Sequence, residues 1–163
     1  MKLEAIDKAL LQRARLDRVR CPCCKRWCRI YKTKFHSGMA RALIKLYHLG
    51  IQSTDGWIYL RRTDRSHLYN KLLAWNMTKL PCWGLTRSEL LQHDKVPKGT
   101  CRRRWQLTPL GHRFVLGLAS VPRHMLIPTG MLNEVFEPFD KNETTTITAA
   151  LGDHFDYSEL MRG

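Results

Sequence analysis

Acidic residues are scarce in this sequence. Fourteen Asp and Glu stand against 28 Lys and Arg, a formal net charge of +14 over 163 residues. That imbalance argues against a cationic partner and for a polyanion. Long apolar runs are missing too: none approaches the ~20 residues that span a bilayer. The opening Met1-Lys2-Leu3-Glu4-Ala5-Ile6-Asp7 has no apolar stretch of a secretory signal. The expectation is a soluble, cytoplasmic protein. No basic amphipathic helix with an aromatic face stands out, so a membrane is not an expected partner. There is no internal repeat, no Gly-rich phosphate loop, no nucleophile elbow and no metalloprotease helix. Asp55, Asp64, Glu89 and Asp94 are scattered and make no two-metal pair. The expectation is a binding protein and not an enzyme, with no catalytic residue assigned.

The charge that is present is unevenly spread. Residues 1 to 50 carry 13 Lys and Arg against 3 Asp and Glu, and residues 51 to 130 carry 13 against 4. The last 33 residues reverse this, with 2 against 7. Nucleic acid is therefore the expected ligand of the first 130 residues. The acidic end has two readings: a packed C-terminal helix, or a segment that mimics phosphate or recruits a protein partner. At 44% hydrophobic the chain has enough apolar residues for a core. Its length fits one domain with a small appended module.

Four of the six cysteines fall in Cys21-Pro22-Cys23-Cys24-Lys25-Arg26-Trp27-Cys28. In a reducing compartment such a cluster is a metal site or a set of free thiols more readily than a set of disulfides. Cys21 and Cys24 have the C-x2-C spacing of a zinc knuckle, in which one tight turn aims two thiolates at one ion. Cys28 and His36 complete a candidate structural zinc site, with Cys82 and Cys101 as alternatives for the last two ligands. Unliganded buried thiols are the competing reading. Lys25, Arg26 and Arg29 would lower a thiol pKa, but no acid, base and orienting group accompany them. Upstream, residues 3 to 19 have helical periodicity, with arginines loading the second half. Arg18, Arg20, Lys25 and Arg26 are candidate phosphate contacts. Trp27, set among cations, is either a platform for a base or a cover for the zinc.

Residues 29 to 35 alternate basic and apolar, which predicts a short strand. Ser37 is placed as the N-cap of a helix bearing Met39, Ala42, Leu43, Leu46 and Tyr47, with Gly50 at its far end. Asp55-Gly56 is a turn before a strand at 57–60. Residues 66–76 read as a second core helix, stopped by Pro81. A strand, a polar loop over 92–100 and a returning strand at 101–107 follow. Thr108 then caps a helix with Pro109 at its first position and Phe114, Val115 and Leu118 facing inward. Residues 119–143 are irregular, with a strand within 121–127, and Thr148 caps a last acidic helix. Trp57, Trp75, Trp83 and Trp105 sit in apolar patterns and are expected in the core.

The string Gly84-Leu85-Thr86, a basic hairpin, and Trp105-Gln106-Leu107-Thr108-Pro109-Leu110-Gly111 resembles winged-helix regulators, including the MarR type. The resemblance covers about half of the chain. It implies an α+β fold: a winged-helix-like core over 37–120, after a basic helix and zinc-knuckle module over 1–36 and before an irregular segment and acidic helix over 121–163. It puts residues 66–76 in the recognition-helix position, with Arg65, His67, Asn70 and Lys71 toward base edges. The wing would carry Lys95, Lys98, Arg102, Arg103 and Arg104. Because side chains alternate along a strand, Arg102 and Arg104 share one face and Arg103 takes the other. The chain is also similar to small zinc-bearing proteins of phages and mobile elements, which implies an accessory regulator acting in a host cell's cytoplasm. Double-stranded DNA is the expected partner. The alternative is an interaction protein that occupies a partner's nucleic-acid-binding surface.

Overall fold

A computed structural model describes residues 12–21, 25–61, 76–92, 95, 100–128 and 136–162, with the backbone alone at 60, 61 and 100–102. The protein is mixed α+β. It divides into two compact units, one of residues 1–34 and 122–143, the other of 35–121 and 144–163.

The first unit is built on antiparallel pairs. Residues 12–16 are helical. The helix ends earlier than periodicity predicts: the Asp17 N–H closes its last turn on the Arg13 carbonyl at 3.0 Å, and the chain bends at Asp17. Val19–Arg20 (β1) then pairs with Trp27–Cys28 (β2), Val19 opposite Cys28 and Arg20 opposite Trp27. Ile30–Lys34 (β3) is the expected strand. It pairs antiparallel with His124–Pro128 (β8), which in turn carries Glu137–Pro138 (β9), so the sheet order is β3-β8-β9. Ala14, Val19, Cys21 and Cys28 form a buried cluster, with Ile30 packed against it.

The second unit begins at Phe35. Helix α1 runs Ser37–Ile51. Its N-cap is His36 and not Ser37: the His36 ring Nδ1 accepts the Gly38 N–H at 3.2 Å. An imidazole nitrogen does here what a Ser hydroxyl usually does. The helix also runs past Gly50 to a C-cap at Gln52. The turn at Asp55-Gly56 is present, with Asp55 Oδ1 accepting from Trp57 N at 3.0 Å and from Ser53 Oγ at 2.9 Å. Those donors hold the Asp55 carboxyl below its usual range.

Ile58–Arg61 (β4), Thr86–Leu90 (β5) and Thr100–Leu107 (β6) form a three-stranded antiparallel sheet in the order β4-β6-β5. A 3-10 turn, Leu80–Trp83, precedes β5 and ends at Gly84 with φ of 68°. Thr108 caps α2, Pro109–Val115, its hydroxyl accepting from Gly111 N at 3.0 Å. The helix stops at Val115, and Gly117 turns the chain with φ of 73°. Leu118 is therefore exposed, contrary to its apolar spacing. Val121–Pro122 (β7) and Thr144–Thr145 (β10) make a short two-stranded pair. Two helices follow where one was expected: α3, Ile147–Leu151, capped by Thr146 and not Thr148, and α4, Tyr157–Arg162.

Phe35 is the hub of this core. It is fully buried and meets Trp83 at 5.4 Å and Phe114 at 5.3 Å, both edge-to-face, the arrangement aromatic quadrupoles prefer. Met39, Leu43 and Leu46 of α1 are buried, and so are Ile147 and Leu151 of α3. Trp83 and Trp105 lie in the core as expected, Trp57 is half-buried, and Trp75 lies outside the described residues.

Candidate nucleic-acid interface

The β1–β2 hairpin of the first unit sorts its side chains by parity. Val19, Cys21 and Cys28 point into the buried cluster. Arg18, Arg20, Lys25, Arg26 and Trp27 are all exposed. Two guanidinium groups lie over the Trp27 indole, Arg20 at 4.9 Å and Arg18 at 5.4 Å from its centroid. A cation over an indole face is favoured by the ring quadrupole. Asp17 is the nearby acid; its carboxylate accepts from the Arg18 backbone N–H at 2.6 Å. The four candidate cations of this module thus share one small hairpin.

The cysteines are only partly covered. Cys21 and Cys28 are buried together, and Cys24 lies outside the described residues. The turn between them is closed by two bonds, Cys21 N to Arg26 O at 2.8 Å and Lys25 N to Cys21 O at 3.0 Å. Lys25 adopts φ of 59°, rare for a residue with a side chain. The Cys28 thiol donates to the Arg26 carbonyl at 3.8 Å. Among the described residues no group of three or more His, Cys, Asp or Glu side chains stands close enough to hold a metal ion. His36 uses Nδ1 as the helix cap, which in the neutral ring leaves the proton on Nε2. Of the alternative ligands, Cys82 is half-buried and Cys101 is described by its backbone alone. Burial pushes the Cys82 thiol up to about 11.

In the second unit the β5–β6 hairpin is where the wing was expected. Lys95 is exposed in the loop; Lys98 lies outside the described residues, and Arg102 is described by its backbone in β6. Arg104 is committed elsewhere. Its Nε donates to Glu89 Oε2 at 2.8 Å and its Nη2 to the same oxygen at 2.5 Å. Nη1 reaches the Tyr59 hydroxyl at 3.3 Å, and the group lies 4.2 Å from the Trp57 ring centroid. Glu89 and then Tyr59 hold the Arg104 pKa above its ordinary value. Arg87 reaches Gln106 across the same sheet, Nε to Oε1 at 2.7 Å. Arg103 donates to Ser88 Oγ at 2.8 Å and lies near Trp105. The arginines nearest the sheet are thus tied to it, a cross-strand register that sequence reading did not reveal. Arg65, His67, Asn70 and Lys71 lie outside the described residues.

Of the scattered carboxylates, Asp55 serves a turn and Glu89 an ion pair, and Asp64 and Asp94 lie outside the described residues. No helix among the described residues is long and apolar enough to cross a membrane. Comparison with family models, with curated proteins and with solved structures finds no match to this chain.

Proposed function

We propose that this chain is a nucleic-acid-binding protein acting on duplex DNA, a regulator and not an enzyme, and that its second unit is winged-helix-like. The observation that carries the reading is the sheet order β4-β6-β5. One strand follows the first helix, and a long antiparallel hairpin has its far strand in the middle; the sequence that joins its two strands includes Lys95 and Lys98. A winged helix uses these elements in this order, with its reading helix immediately before the hairpin. The net charge of +14 favours a phosphate backbone as ligand. A cytoplasmic location fits that role.

Zinc belongs to this reading as a structural brace of the Cys21–Cys28 turn. Two buried thiols and a closed turn with a left-handed residue support it. Cys24 is the paired ligand by spacing, and a role for His36 would compete with its cap bond.

The alternative is an interaction protein that occupies a partner's nucleic-acid-binding surface. The pairing of Arg104 with Glu89 favours it, because a wing whose arginine is already neutralised has less to offer phosphate. A salt titration of duplex binding separates the two. On the DNA reading, the logarithm of affinity falls steeply and linearly with that of salt concentration. A flat response, or tight capture by a protein partner with weak DNA binding, overturns it.

A further inference from the structure

We propose that the exposed residues running from the β1–β2 hairpin into β3 bind unpaired nucleotides, with Trp27 and Tyr31 stacking on bases and Arg18, Arg20 and Arg29 facing the phosphates. This rests on the reading of the chain as a nucleic-acid-binding protein, and adds to it a single-stranded ligand for the first unit.

The argument begins with parity. Along 27–31 the exposed positions are Trp27, Arg29 and Tyr31, while Cys28 is buried and Ile30 packs against the buried cluster. All of the apolar packing of this ribbon is done on its inner face. Trp27 is nevertheless 50% exposed and Tyr31 44% exposed, so neither ring is needed to fill the core. Each ring also has guanidinium groups against it: Arg20 and Arg18 on Trp27, and Arg29 on Tyr31 at 5.3 Å. In the free protein these guanidinium groups cover the rings; a base that stacks on a ring takes their place and leaves the cations to its phosphates.

Cations interleaved with exposed rings match a single strand better than a duplex. In a duplex the base faces are stacked on one another, and only edges and phosphates meet a protein. An unpaired strand offers a face for every ring as well as a phosphate for every cation. Trp27 lies in β2 and Tyr31 in β3, strands of separate sheets, so each ring takes a base of its own. The ligand is then a short oligonucleotide and not a mononucleotide.

The test uses the full chain and two labelled probes of equal length, an oligothymidylate and a blunt duplex, followed by fluorescence anisotropy. The wild type binds the oligothymidylate, Trp27→Ala weakens that binding about ten-fold, and Trp27→Phe restores most of it, in keeping with the effect of removing a stacking ring. Tyr31→Ala weakens it as well, and duplex affinity changes less than about two-fold in all three. If the wild type binds duplex but not oligothymidylate, this inference falls and the reading of the protein as a DNA binder stands. If it binds neither, both fall. Equal losses on both probes make Trp27 a support of the fold and overturn the stacking role. Should circular dichroism find Trp27→Ala unfolded, Tyr31→Ala decides alone: an unchanged affinity for oligothymidylate overturns the proposal.

Discussion

Gly111 packs directly on the backbone carbonyl of Leu85, so closely that a Cβ at position 111 would overlap that oxygen. The contact joins the first turn of α2 to the start of β5. Thr108 reinforces it, donating its hydroxyl to the Gly84 carbonyl at 2.6 Å and its N–H to the Leu85 carbonyl at 3.1 Å. Gly111→Ala therefore pushes backbone against backbone, with no flexible side chain to yield. The expected cost is about 2 kcal/mol or more, read as a fall in the urea midpoint at constant slope. A variant as stable as wild type would mean that α2 is free to shift.

Much of the second unit was legible because its signals are local. Thr108-Pro109 announces a helix start by chemistry confined to one turn, and Asp55-Gly56 announces a turn in the same way. Where reading failed, a local rule had two candidates or a partner lay far away. His36 and Ser37 both accept hydrogen bonds, and the chain uses the first. Leu118 keeps helical spacing with Phe114 and Val115, but the helix has already ended and spacing then means nothing. β3 and β8 are separated by some ninety residues of sequence, and nothing in either names the other. The same holds for Arg104. As one of three consecutive arginines it reads as a free cation, until the register sets Glu89 opposite it.

That register has a consequence for binding. Lys95 is exposed, whereas Arg104 shares a carboxylate, a phenol and an indole. If the wing touches phosphate, Lys95→Gln lowers the salt slope of duplex binding by about one. Arg104→Gln leaves the slope nearly unchanged, since its charge is already countered. Salt titrations of the two variants against wild type check this. A large drop for Arg104→Gln with none for Lys95→Gln would reverse the assignment.

The cysteine turn makes a metal prediction with a direct readout. Elemental analysis of the purified protein is expected to find bound zinc, and Cys21→Ser or Cys28→Ser to lose it. Removing the ion with a chelator lowers the melting temperature, because metal-binding free energy adds to folding free energy. A metal-free protein of unchanged stability would reduce Cys21 and Cys28 to buried thiols.

Cys82 gives a pH dependence. Burial, only partly offset by its backbone and by Lys79, raises its pKa from 9.0 to about 11. The folded state then holds this proton more tightly than the unfolded state does. Its contribution to stability is complete below pH 9 and is lost as the pH rises through about 11. Desolvation raises the Tyr157 phenol in the same sense. At pH 8 the scarcer thiolate outweighs its greater basicity, and alkylation of Cys82 runs about ten-fold slower in native protein than in urea. Peptide mapping of the alkylated cysteines measures this, and equal rates in the two states would contradict the burial.

The acidic end is also a packed end. Ile147 and Leu151 of α3 are buried, and Arg41 of α1 lies 4.5 Å from the Phe155 ring centroid. Tyr157 donates its hydroxyl to the Val115 carbonyl at 2.7 Å, and His48 Nε2 lies 2.9 Å from the Leu160 carbonyl. These contacts tie the segment to α1 and α2, the elements that carry the core. Its charge is a property of the outer surface, where Asp153, Asp156 and Glu159 are exposed. Ile147→Ala is therefore expected to cost about 2 to 4 kcal/mol of stability, the usual range for a large buried aliphatic residue. Neutralising the surface with Asp153→Asn, Asp156→Asn and Glu159→Gln together leaves the melting temperature nearly unchanged. On the packing reading the same triple variant also leaves duplex affinity within about two-fold at physiological salt, where charges beyond ~8 Å are screened. A rise of about ten-fold or more in affinity would instead make the acidic surface a competitor of phosphate, and the packed helices its mount.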